Sequence, residues 1–231
     1  MRKLKKVQPR KELVEICHKI HSKGFVSATD GNVSIRIKKD KILCTPTSLP
    51  KEKVKEKDLI VLDLEGRVIS GSRKPSTEIK MHLAIYKERE DVNAVIHAHP
   101  VYATAFASSK IALDVPFLPE VILNLGLVPV CEYATPSTEE VVKSILPFIK
   151  KTNLLLLQNH GSVTFGKNLE EAYYLLEKLE HTAKIFAIAM NLSGVRPLTK
   201  KQLKYLYQVN ETTYKINQDF KIKFNNQRRK N

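Results

Sequence analysis

Asp91-Val-Asn-Ala-Val-Ile-His-Ala-His-Pro100 is the stretch on which the fold turns. Side chains alternate across a strand, so His97 and His99 share one face while Val92, Ala94, Ile96 and Ala98 take the other. Pro100 then stops the strand. A His-x-His pair alone is commonly two half-buried polar residues, but a third imidazole follows downstream in Gln158-Asn159-His160-Gly161. His160 comes after the apolar run Leu154 to Leu157, at the end of a second short buried strand, where a chain break at Gly161 would present its ring to a shared cleft. Three histidines with an open fourth position describe a catalytic metal site better than a structural one.

Working outward, strand and helix signals alternate. Lys11 to Lys23 carries Leu13, Ile16, Cys17 and Ile20 at helical spacing, with Gly24 as C-terminal cap and His18 and His21 off the stripe. Short strands follow at Asn32 to Ile37, Lys41 to Thr45, Leu59 to Leu62 and, after a Glu65-Gly66 turn, Val68 to Ser70, a pattern that predicts an antiparallel meander. A helix is expected from about Ser76 to Glu88, burying Ile79, Leu83 and Tyr86. Beyond Pro100 the pattern predicts a short helix through Tyr102, Ala105 and Phe106, a loop from Asp114 to Pro119, and a strand over Leu127 to Cys131. Ser137 to Lys150 reads as a helix with its own capping box, and Asn168 to Asn191 as the strongest helix, with His181 on its face. The expected class is α/β, a three-layer α/β/α sandwich around a central, largely antiparallel sheet.

At 231 residues the chain is long enough for one domain, 1–231, with a substantial core, and no second boundary is visible. No apolar run approaches bilayer length and the basic start Met1-Arg-Lys-Leu-Lys-Lys lacks a secretory pattern, so a soluble, cytoplasmic protein without membrane association is expected. The 3 cysteines, Cys17, Cys44 and Cys131, lie among apolar residues and read as buried reduced thiols. The formal net charge of +15 raises nucleic acid as a partner. Much of the excess is terminal, in 1–11 and 200–230, without aromatic interleaving, so solvated basic tails are expected rather than a specific nucleic-acid surface.

Three further segments carry anion-binding chemistry. The glycine of Thr29-Asp-Gly31-Asn32 lets backbone amides approach an anion, and the Asn32 amide can donate beside it. Thr45-Pro-Thr47-Ser48 offers two hydroxyls on a proline-stiffened bend. Lys74-Pro-Ser76-Thr77-Glu78 sets hydroxyls and free amides at a helix N-terminus, which favours a dianionic phosphate; the same pattern also serves as a plain capping box. Glu78, near a divalent cation, has two possible roles: fourth ligand, or general base when substrate arrives.

The ordered series Gly31-Asn32, Thr45-Pro-Thr47, Pro75-Ser76-Thr77-Glu78, His97-Ala-His99-Pro100 and Asn159-His160-Gly161 resembles the class II aldolase/adducin family, and within it the L-fuculose-1-phosphate aldolases, from about Leu13 to about Leu198. The resemblance implies a homotetramer of fourfold cyclic symmetry with active sites between subunits. It implies reversible cleavage of a ketose 1-phosphate to dihydroxyacetone phosphate and an aldehyde such as L-lactaldehyde. His97, His99 and His160 become ligands of one Zn2+ per subunit, for which Co2+ or Mn2+ could substitute. Glu78 becomes the proton-transfer residue and a fourth ligand in the resting site. Gly31, Asn32, Thr47, Ser48, Ser76 and Thr77 fall around the substrate phosphate, with Ser48 where the family usually has glycine. Tyr214 aligns with a catalytic tyrosine of the tail, whereas Leu123 stands where the fuculose-phosphate enzymes carry an aldehyde-side tyrosine.

Three relatives on the same scaffold predict something different at particular positions. L-Ribulose-5-phosphate 4-epimerases usually carry aspartate where this chain has Glu78. A methylthioribulose-1-phosphate dehydratase would need an acidic motif that 120–124 lacks. A non-enzymatic, adducin-like assembly module predicts lost metal ligands, yet all three histidines are retained.

Overall fold

A computed structural model describes residues 8–126 and 128–214. Pro9 occupies the first turn of α1 (Pro9–Ser22), where its missing N–H has no intrahelical partner to lose, and Leu13, Ile16, Cys17 and Ile20 form the buried stripe. Gly24, at φ +69°, carries the left-handed turn that ends it.

The expected meander is present as β1 (Asn32–Lys38), β2 (Lys41–Cys44), β3 (Ile60–Asp63) and β4 (Val68–Ser70). The helix α2 (Ile79–Glu88) leads into β5 (Ala94–Ala98), and α3 (Val101–Ser108) follows. Later come α4 (Pro119–Asn124), β6 (Val130–Cys131), α5 (Glu139–Ile145), β7 (Leu154–Leu157), β8 (Gly161–Gly166), α6 (Leu169–Leu192) and α7 (Lys200–Val209). The eight strands form one sheet in the order β4-β3-β2-β1-β5-β8-β7-β6. Only β6 and β7 pair in parallel; every other neighbour is antiparallel.

β5 is the middle of this sheet and its alternation separates the two cores. Ala94, Ile96 and Ala98 pack with α1 and the start of α6. Val95 faces the other way, with Ile79, Leu83 and Tyr86 of α2 and Val141 and Ile145 of α5. Full burial of each such valine, leucine or isoleucine side chain is worth about 1.5–3 kcal/mol. Val92 departs from the expected alternation: it precedes the strand and joins the core of Val95.

Helix ends account for most other departures. α2 starts at Ile79 rather than Ser76, with Glu78 at the N-cap but no side-chain capping bond. α5 is capped by Thr138, which accepts from the Glu140 N–H, and not by Ser137, which sits at φ +69°. It stops at Ile145, since Pro147 has no N–H to extend the ladder. α4 was not expected from the sequence, and the expected strand at 127–131 shrinks to two residues, with Leu127 itself outside the described residues. The chain does not break at Gly161: β8 begins there and forms a hairpin with β7. α6 matches its expectation, capped by the Asn168 side chain, and His181 on it is exposed. Its Glu180 carboxylate accepts from the Tyr102 and Ala103 N–H groups at 3.0 and 2.9 Å, capping α3 from outside. Cys17, Cys44 and Cys131 are free and buried. No helix among the described residues is long and apolar enough to cross a membrane.

Candidate metal centre and active site

Sheet register brings the histidines together. His97 is paired with Val163 of β8 on one side and Asn32 of β1 on the other. The chain leaves the sheet at Ala98, and the His99 N–H is tied to the Phe25 carbonyl at 2.9 Å. His160 lies in the tight turn of the β7–β8 hairpin, where Asn159 takes φ +55°. The three rings stand 4.7 to 5.1 Å apart between centroids. One nitrogen from each lies within 4.8 Å of the others, so the trio could hold a metal ion.

Two glycines permit the crowding. A Cβ on Gly31, at φ +73°, would meet the His97 carbonyl at 2.8 Å and Val26 at 2.6 Å. One on Gly161 would meet the Ala98 carbonyl at 2.7 Å and the His99 ring.

His97 is fully buried and its Nδ1–H donates to the Ser162 carbonyl at 2.9 Å. That bond leaves the lone pair on Nε2, which faces His99 Nε2 at 3.0 Å and Glu78 Oε2 at 3.5 Å. The other Glu78 oxygen lies 3.0 Å from His160 Nε2. The Asn32 amide donates to Glu78 Oε2 at 3.0 Å and to Ser76 Oγ at 3.3 Å. Both carboxylate oxygens are thus turned to the site, which is why this residue at an N-cap does not cap. Burial alone would push the Glu78 carboxyl up, but His97, His160 and His99 outweigh it and bring it down to about 2. Burial pushes His97 down to about 3 and lowers His99 as well. An ionised Glu78 carboxylate beside the neutral imidazoles of His97 and His99 is the protonation state that ligates a divalent cation, so the donor set fits one.

The other expected residues fall around this cluster. Pro46 and Pro75 bridge two strands of backbone and the Thr47 N–H donates to the Lys74 carbonyl at 3.0 Å, so the 45–48 and 74–77 segments lie side by side. Ser48 adopts φ +55°, the left-handed region that favours the glycine usual in the family at this position. Ser76 is held against Asn32 and accepts from the Glu78 N–H at 3.3 Å, whereas the Thr77 hydroxyl is turned to Ser137 Oγ at 2.6 Å. Tyr214 ends the π-helical turn Asn210–Tyr214, and its side chain lies outside the described residues. Leu123 is buried in α4 and lines a cleft of about 540 Å³ with Asn153 and Gly166, at the far end of the β7–β8 hairpin from His160.

Sequence reasoning missed three residues near this cluster. Asp30 Oδ2 lies 3.6 Å from His99 Nδ1. Lys51 is 1% exposed beneath the loops. His82, one turn beyond Glu78, is fully buried with Nδ1 at 2.7 Å from Ser34 Oγ. Its spacing of four from Glu78 was the available signal, matching the spacing of two between Asn32 and Ser34 on β1.

The family described as Class II Aldolase and Adducin N-terminal domain matches residues 11–187. An L-fuculose phosphate aldolase of Methanococcus vannielii is 37% identical over 183 residues, 78% of this chain and 97% of that protein. A 3-oxo-tetronate 4-phosphate decarboxylase of Pectobacterium atrosepticum is 33% identical over 184 residues, 78% of this chain and 84% of that one. A solved structure of an L-fuculose 1-phosphate aldolase superposes with a TM-score of 0.79 at 31% identity, across 88% of this chain and 96% of its own. With the sheet, the histidine cluster and the sequence all in agreement over most of its length, the chain belongs to the class II aldolase and adducin N-terminal domain family.

Proposed function

We propose that the protein is a zinc-dependent aldolase that reversibly cleaves a ketose 1-phosphate of the L-fuculose 1-phosphate type to dihydroxyacetone phosphate and an aldehyde such as L-lactaldehyde. The observation that carries this reading is Glu78, whose two oxygens are shared between His160 and the Asn32–His97 pair at the focus of three imidazoles. When bound, the zinc ion supplies Lewis-acid stabilisation of the charge that gathers on the carbonyl and hydroxyl oxygens of the substrate. His97, His99 and His160 hold it, with Glu78 as the fourth ligand at rest.

Glu78 then moves the proton at the carbon next to the carbonyl, abstracting it in condensation and returning it in cleavage. The amides of Gly31 and Ser48, the Asn32 side chain and the hydroxyls of Thr47, Ser76 and Thr77 receive the phosphate near the positive end of the α2 dipole. Tyr214 is assigned a second proton-handling role from the tail. Leu123 cannot give a proton, so the aldehyde side takes its proton from another group. No lysine forms a covalent intermediate. The working assembly is a cytoplasmic homotetramer whose sites lie between subunits, with no specific nucleic-acid or membrane partner.

A decarboxylase reading is supported by 3-oxo-tetronate 4-phosphate decarboxylases among the relatives, such as the one from Pectobacterium atrosepticum. Retro-aldol cleavage and decarboxylation both leave an electron pair beside a carbonyl, so one set of residues can serve either. Retention of Glu78 favours the aldolase over an epimerase, and retention of all three histidines disfavours a non-enzymatic assembly module.

The deciding experiment follows dihydroxyacetone phosphate release from L-fuculose 1-phosphate before and after chelation, with metal analysis of the same sample. Chelator-sensitive release with about one zinc per chain supports the aldolase. A metal-loaded protein that releases none, and instead evolves carbon dioxide from a 3-oxo acid phosphate, overturns it.

A further inference from the structure

Lys51 opens a short 3-10 turn (Lys51–Lys53) immediately after the segment carrying Thr47 and Ser48. Lysine is seldom fully buried without a partner, yet this one is 1% exposed. Its Nζ donates to the Thr29 carbonyl at 2.9 Å and to the Leu49 carbonyl at 3.0 Å. Among the described residues no carboxylate reaches ion-pair distance of it. Burial lowers its pKa, while Cys17, Asp30 and Glu78 draw it back up. Those last two belong to the rim and the centre of the histidine cluster, so the ammonium stands within electrostatic reach of the site.

The two carbonyls it holds belong to different loops. Thr29 is in the loop that contains Ala28 at φ +45° and Gly31 at φ +73°; Leu49 follows Ser48 at φ +55°. Each loop therefore holds at least one residue in the left-handed region, and non-glycine residues persist there only where surroundings enforce it. An unpaired buried ammonium is itself unfavourable, so neither the loops nor the lysine are explained by stability alone.

We propose that Lys51 is the positioning residue of the anion subsite: it ties the 27–31 loop to the 45–49 loop so that Gly31–Asn32 and Thr47–Ser48 address one dianion, which supplies the counter-charge the ammonium lacks. This rests on the reading above that these loops receive the substrate phosphate. The positive charge acts from behind the backbone, where solvent screens it poorly.

The test uses inorganic phosphate as probe on the wild type, Lys51→Met and Lys51→Gln. Met keeps the length of the side chain without its charge; Gln keeps a donor for one carbonyl, also without charge. In each protein the thermal midpoint is measured with and without phosphate, alongside metal content and competition by phosphate against the cleavage reaction. Both variants are expected to keep their metal, to melt no lower than wild type without phosphate, and to lose most of the phosphate-induced rise. Phosphate affinity should fall roughly tenfold, with KM rising in parallel and kcat within about twofold. A buried lysine with only a structural role predicts the reverse: a lower midpoint without phosphate and an unchanged phosphate-induced rise, which overturns the proposal. If Lys51→Met does not fold, Lys51→Gln carries the same comparison. A wild type that phosphate neither stabilises nor inhibits overturns the phosphate reading of the loops as a whole.

Discussion

His97 and His82 are both fully buried, both pushed down to about 3 chiefly by burial, one within β5 and the other on α2, yet their surroundings divide them. His97 gives its Nδ1–H to a backbone carbonyl and aims Nε2 at the His99 imidazole and the Glu78 carboxylate. His82 meets Ser34 Oγ through Nδ1, and Ser34 Oγ in turn meets the Tyr86 hydroxyl at 2.8 Å. The pairing is periodic. Asn32 and Ser34, two apart on β1, face Glu78 and His82, four apart on α2, and Arg36 continues the series by donating to the Tyr86 carbonyl at 2.7 Å. A strand of period 2 and a helix of period near 3.6 thus build two unlike polar contacts in one packing register. Neutrality follows from burial in both; competence for a metal follows from what the remaining nitrogen faces.

Substitution should separate the two histidines sharply. His97→Ala is expected to lose bound metal and to drop cleavage by a factor of about a thousand or more, read by metal analysis and product release. Retained activity in a metal-free variant would remove His97 from the centre. Glu78→Gln should keep the metal but slow exchange of the carbon-bound proton of dihydroxyacetone phosphate about a hundredfold or more, followed by deuterium incorporation. Normal exchange there would assign the proton to another group.

His82→Phe should keep both metal and catalysis while lowering stability by about 1–3 kcal/mol in denaturant titration, because the Ser34 hydroxyl loses its buried imidazole partner. Loss of the metal in that variant would collapse the distinction between the two rings. The last effect is in pH. Unfolded His82 takes up a proton near the ordinary value of 6.5, whereas in the folded protein it does so only near 3. Between those values the unfolded chain binds more protons, so this contribution is complete above about pH 6.5 and is lost as pH falls toward 3. Its slope is at most about 1.4 kcal/mol per pH unit. His82→Phe should flatten the stability profile by up to one proton in this window, and an unchanged profile would mean that the ring is protonated when folded.

Much of this architecture is legible in the residues. Alternation in β5, the stripes of α1 and α6 and the apolar run of β7 follow from local pattern, because burial imposes periodicity directly on sequence. Helix starts were less legible at Ser76 and Ser137, where capping residues offer several equivalent origins. Tertiary contacts choose among them: Glu78 turns to the histidines, and Thr138 takes the cap of α5. α4 escaped detection because it is only 6 residues long and follows a proline-rich loop. In the site, the three histidines and Glu78 are motif residues, whereas Lys51 and His82 look like ordinary members of a turn and a helix until the fold buries them.

The placement of the histidines on opposite sides of a strand pairing has a consequence for assembly. His97 opposes Val163 of β8, and His160 reaches it from the turn of the β7–β8 hairpin, one residue before β8 begins at Gly161. A slip of one residue between β5 and β8 would rotate His97 into the Ala94, Ile96 and Ala98 layer and leave His160 facing an alanine. On the metal-dependent reading proposed above, ion capture is a checkpoint on strand alignment: a refolding chain would retain the ion only after the centre of the sheet has closed in its native register, and the bound ion would then favour that register over misaligned alternatives.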